Sequence, residues 1–111
     1  MQDKKKVVAL IEPQAGNVDP ITQKAILSRY AEKHRIKIDR KIGEQAPESG
    51  TAGDPGHRDL INDIRDGGVE RLLVLSNVKY MIPEEVLIEC RKANVKVDFI
   101  DVQREGGLMH Q

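Results

Sequence analysis

The sequence predicts an α/β fold, a single three-layer α/β/α domain on a mainly parallel four-stranded sheet. Four short apolar runs alternate with three segments of helical periodicity. That is the pattern of right-handed β-α-β crossovers, which place helices on both faces of a sheet. One run, Arg71-Leu72-Leu73-Val74-Leu75, is almost wholly apolar, as a strand covered on both sides must be. A chain of 111 residues is short for two domains, yet it can bury roughly 65% of its unfolded surface around one core.

The first strand is expected over Lys6–Ile11 and stops at Glu12-Pro13-Gln14. Asp19 then offers a capping side chain, and Pro20 carries the φ that a first helical position needs. Ile26, Leu27, Tyr30 and Ala31 recur at helical spacing through His34. Ile36 to Ile42 alternates apolar and polar residues, the pattern of an edge strand with one exposed face. Gly43 to Gly56 carries four glycines and two prolines and is the one long loop. Asp54-Pro55 opens a second helix with a Leu60, Ile61, Ile64 stripe, and Gly67-Gly68 ends it. A central strand follows over Arg71–Leu75. Pro83-Glu84-Glu85 starts a third helix, with acids at the positive end of its dipole and Val86, Leu87, Cys90 and Ala93 as its buried stripe. Val95 to Ile100 is the last strand. The domain thus spans residues 1–111, with its core over about 5–102 and a tail over 103–111.

Aromatic residues make up only 3% of the chain, so the core must come from Val, Ile, Leu and Ala. Eighteen basic and 18 acidic residues cancel. No global field therefore draws in nucleic acid or an anionic membrane. Lys4-Lys5-Lys6 reads as a solvated lead-in to the first strand. A single cysteine, Cys90, rules out an intrachain disulfide framework and fits a reducing compartment. No apolar run approaches the roughly 18–20 residues of a membrane span, and the start lacks a signal-peptide pattern. The expectation is a cytoplasmic protein with no membrane association.

Several segments carry a family resemblance. Gln23 is followed by Tyr30-Ala31-Glu32-Lys33, the long loop holds Ser49-Gly50-Thr51, and Asp54-Pro55-Gly56 is followed by Leu60. Asp63 to Glu70 forms a helix-to-strand junction, and Phe99-Ile100-Asp101 closes the last strand. In this order and spacing, over about residues 5 to 102, the chain resembles the catalytic domain of the serine recombinases (the resolvase–invertase family). The resemblance implies a resolvase-like fold and a link to DNA recombination or mobile elements.

The chemistry of that family needs a serine that attacks a DNA phosphodiester and arginines that hold the phosphoryl group. Aligned through Gln23, the family's Tyr-x-Arg-Val-Ser falls on Leu10 to Gln14, so Glu12 stands at the arginine and Gln14 at the nucleophile. Asp54 replaces the arginine before Pro-Gly. The family's Leu-Asp-Arg-Leu-x-Arg falls on Asn77 to Ile82, which keeps Lys79 and puts Ile82 at an arginine position. With these positions lost, the resemblance implies a degenerate, catalytically inactive domain.

Other groups read more plainly. Ser49 and Ser76 are hydroxyls at a loop and a strand end, with no base placed beside them. The glycine-rich stretch before the second helix lacks the Gly-Lys-Ser/Thr ending of a phosphate loop. Ser49, Arg58 and Lys79 remain as weak contacts for an anion or DNA. His34 reads as structural at a helix end, His57 lies in the first turn of the second helix, and His110 is in the tail. The histidines and Cys90 lack metal-ligand spacing, so no metal and no cofactor are expected, and Cys90 reads as core. The function expected is a non-catalytic, resolvase-like binding or regulatory module with a protein partner. The alternatives are a recombinase-type domain working with a partner chain and a small-ligand-binding α/β domain. Self-association is compatible with each.

Overall fold

The computed structural model describes residues 5–12, 18–43 and 55–101. In chain order it holds β1 (Lys6–Leu10), α1 (Pro20–Lys33), β2 (Arg40–Ile42), α2 (Pro55–Arg65), β3 (Val69–Leu75), a 3₁₀ helix (Ser76–Met81), α3 (Glu84–Lys92) and β4 (Lys96–Ile100). The strands form one sheet in the order β2-β1-β3-β4, parallel throughout. Ala9 pairs with Lys41 on one side and Leu73 on the other, and Leu73 pairs in turn with Asp98. The α/β fold expected from the strand–helix alternation is the fold observed.

Side chains on β4 show which face each helix covers. The Tyr30 hydroxyl of α1 donates to Asp98 Oδ2 at 3.2 Å. Strand alternation turns Val97 and Phe99 to the opposite face, where they line a groove with Leu87 and Cys90 of α3. α2 joins α3 through Arg65, which donates to Glu85 and Glu89 at 3.3 and 3.1 Å. The layers are therefore α1, sheet, then α2 with α3. Between them lie Val8, Leu10, Leu72, Leu73, Val74 and Leu75, none more than 1% exposed. Burying each such side chain contributes about 1.5–3 kcal/mol.

Each helix boundary has a local cause. The Asp19 carboxylate accepts the Thr22 N–H at 2.8 Å, with Pro20 at the first helical position. All three helices then end in one motif. Ile36, Gly68 and Val95 donate back to Ala31, Asp63 and Cys90, while Arg35, Gly67 and Asn94 donate to Glu32, Ile64 and Arg91. The residue between the two closures takes a left-handed conformation, with φ 57 at Arg35, 79 at Gly67 and 59 at Asn94.

Two expectations need correction, and one element is new. Ile36 to Ile42 is not one strand; only Arg40–Ile42 pairs in the sheet. Asp39 ends the pairing by taking both polar groups of Val7: its N–H donates to Val7 O and its carboxylate accepts the Val7 N–H, each at 2.9 Å. Ser76 to Met81, to which the sequence assigns no element, is a 3₁₀ helix whose Val78 is fully buried. On α3, Val86 and Cys90 are buried, but Leu87 and Ala93 are half-buried, and Glu89 is buried instead. Its guanidinium partner explains that burial. The hydrogen bond from Arg65 holds the Glu89 carboxyl below the usual carboxylate range, and Glu89 in turn raises Arg65. This contribution to stability is present above the ordinary carboxylate range and is lost as pH falls through Glu89's lowered value.

Gln14, Ser49 and Asp54 lie outside the described residues, as do Ser49-Gly50-Thr51, His110 and the 103–111 tail. Among the described residues, no helix is long and apolar enough to cross a membrane.

Gly67→Ala should cost about 1 kcal/mol in urea unfolding, because a Cβ at φ 79 is strained although nothing lies within 4 Å of it. Gly68→Ala should stay within about 0.5 kcal/mol, since its Cβ meets only Asp63 O at an ordinary 3.5 Å. Burial pushes the Cys90 thiol up to about 11. It should therefore resist a thiol reagent such as DTNB at pH 8 in the folded protein and react fully in denaturant.

Candidate functional site at the carboxyl end of β1

In open α/β sheets, ligands and reactive groups gather beyond the carboxyl ends of the strands, so the site is built outward from the end of β1. The ladder runs one residue past the strand, with Ile11 N–H donating to Ile42 O at 2.8 Å. At Glu12 the neighbouring strand gives way to the side chain of Gln23 on α1. Gln23 Oε1 accepts the Glu12 N–H at 2.8 Å, while Nε2 donates to Glu12 O at 2.8 Å and Val18 O at 2.7 Å. Gln23 is fully buried. Its amide thus ties the end of β1 and the approach to α1 together.

With its backbone held, Glu12 turns its side chain toward α2. His57, in the first turn of that helix, places Nε2 2.9 Å from Glu12 Oε2. The Glu12 side chain is 4% exposed and that of His57 14%. An ionised carboxylate only accepts, so such a bond is made from the Nε2–H tautomer of His57. An unpaired carboxylate at this depth would cost several kcal/mol, and the imidazole is the group that meets it.

Of the other sequence-derived positions that the structure describes, only Arg58 lies near this pair. Lys79, on the 3₁₀ helix, lays its ammonium over the Phe99 ring of β4, 5.6 Å from the centroid. Ile82 is a core residue at 7% exposure. Arg58 is exposed on α2 and lines a cavity of about 270 Å³ with His57, Asn62 and Arg65. His34 packs its ring against Tyr30, with centroids 4.2 Å apart. Ser76 opens the 3₁₀ helix, and Cys90 is in the core. Among the described residues, no group of three His, Cys, Asp or Glu side chains is placed to hold a metal ion.

Two residues of this site were undervalued by sequence reasoning. Gln23 carried a signal, a polar residue in register with the buried stripe of Ile26, Leu27 and Ala31. His57 carried none that named its partner, because 45 residues separate it from Glu12. Comparison with protein-family models, with curated proteins and with solved structures finds no match.

Gln23→Leu should destabilise the domain by about 3 kcal/mol or more in chemical denaturation, since it leaves the Glu12 N–H and the Glu12 and Val18 carbonyls unsatisfied in the interior. A cost near that of an ordinary surface substitution would show that the clamp is dispensable.

Proposed function

We propose that this chain is a non-catalytic, resolvase-like module that binds a protein partner in DNA recombination or on a mobile element. The observation that carries this reading is the closed carboxyl end of β1. Where the resemblance expects an arginine facing DNA, a carboxylate is buried and bonded to His57. A phosphate 4 Å from such a carboxylate is opposed by about 4 kcal/mol at an effective dielectric near 20. Stabilising a transferring phosphoryl group requires the opposite sign of charge.

Exposed apolar surface supports a binding role. Tyr80 is 70% exposed, Phe99 44% and Ile88 38%. Phe99 also borders the groove of about 300 Å³ formed with Leu87, Cys90 and Val97.

Incubation with duplex DNA followed by denaturing electrophoresis should show neither cleavage nor a protein–DNA adduct. An adduct that disappears in Ser49→Ala or Ser76→Ala would overturn the non-catalytic reading. Cross-linking in the native cell should capture a recombination protein, and Tyr80→Glu with Phe99→Glu should abolish the capture while the melting temperature stays unchanged.

A further inference from the structure

Three helices of this chain end in the same left-handed closure, and only one of them places an ill-suited residue there. Gly67 and Asn94 are the residues that accept φ above zero with least strain. α1 instead puts Arg35 at φ 57, where a long side chain gains nothing locally over glycine. The helix dipole does not account for it, because Lys33 already supplies a cation in the last turn. Local strain retained at one of three equivalent positions points to a role for that side chain.

Arg35 lines a cavity of about 320 Å³ at the amino ends of β1 and β3, together with Lys5, Lys37, Arg71, Asp39 and Glu70. Two of these charged groups are engaged elsewhere. Arg71 donates to Asp98 at 3.3 Å, and Asp39 accepts the Val7 N–H at 2.9 Å. Accepting that bond leaves Asp39 its charge, so Lys5, Arg35 and Lys37 stand against Glu70 and Asp39, three cations to two carboxylates, an excess of one positive charge. The whole chain has a formal net charge of zero, so this excess is a local arrangement of residues drawn from β1, the end of α1 and the approach to β2.

We propose that this cavity binds a phosphate monoester. Such a group carries about −1.5 to −2 charges at neutral pH, opposite in sign to the cavity's excess, and three cations stand around it. The planar fork of Arg35 suits two phosphoryl oxygens at once, while Lys5 and Lys37 act as point charges around them. The volume exceeds that of a bare phosphate and leaves room for the body of a small ligand. The site lies at the opposite end of the sheet from Glu12 and His57 and does not rest on the function proposed above.

The test uses the full ¹⁵N-labelled chain and adenosine 5′-monophosphate as the probe. Amide shifts should cluster at residues 5–7, 34–39 and 70–71, saturate, and weaken as salt is added. Adenosine without phosphate should leave them unmoved. Arg35→Gly should raise the melting temperature by several degrees as the strain is relieved, yet lower the affinity at least tenfold. Lys37→Gln should weaken binding with no gain in stability. No shift at about 10 mM probe, an unchanged affinity in Arg35→Gly, or an equal response to adenosine would each overturn the proposal. So would duplex DNA moving these amides when the monoester does not.

Discussion

The amide of Gln23 does for the end of β1 what a neighbouring strand does for the rest of it. A parallel strand leaving its sheet exposes an N–H and a C=O that nothing regular can satisfy, and in a buried place that is costly. Gln23 meets both groups of Glu12 and reaches Val18 O as well. One side chain therefore fixes where β1 stops and how the start of α1 sits against it. With the backbone of Glu12 pinned, strand alternation sends its carboxylate to the face where α2 lies, and the meeting with His57 follows.

That geometry reverses the electrostatics a phosphoryl-transfer site would need. The carboxyl end of β1 holds an inward carboxylate with an imidazole over it, and Lys79 is drawn aside to Phe99. At the amino end of the sheet, by contrast, Arg35, Lys5 and Lys37 outnumber the carboxylates Asp39 and Glu70 around one cavity.

Much of the fold was legible because its causes are local. Asp19-Pro20 caps a helix through a bond three residues away, and Leu60, Ile61 and Ile64 are buried as their spacing implies. β3 reads as central and is central, because only a doubly covered strand tolerates so apolar a run. The misreadings occur where a neighbour overrides periodicity. Ile36 and Ile38 alternate like a strand, yet Asp39 takes the backbone of Val7 and the pairing begins only at Arg40. Leu87 and Ala93 continue the α3 stripe but are half-buried, since that side of the helix faces β4, the last strand of the sheet.

By itself the sequence determined the strand–helix alternation, the Asp19 cap, the Gly67-Gly68 helix end and most of the apolar faces, all properties of residues within a few positions of one another. It also marked Glu12 as a carboxylate at the place where ligands collect. Only the tertiary structure decided what that carboxylate does. Its partner His57 lies 45 positions away, and Tyr30 and Asp98, joined by the same kind of bond, lie 68 apart. Partners at such distances are chosen by the path of the crossovers through space. Periodicity, which compares a residue only with its near neighbours, carries no record of that path.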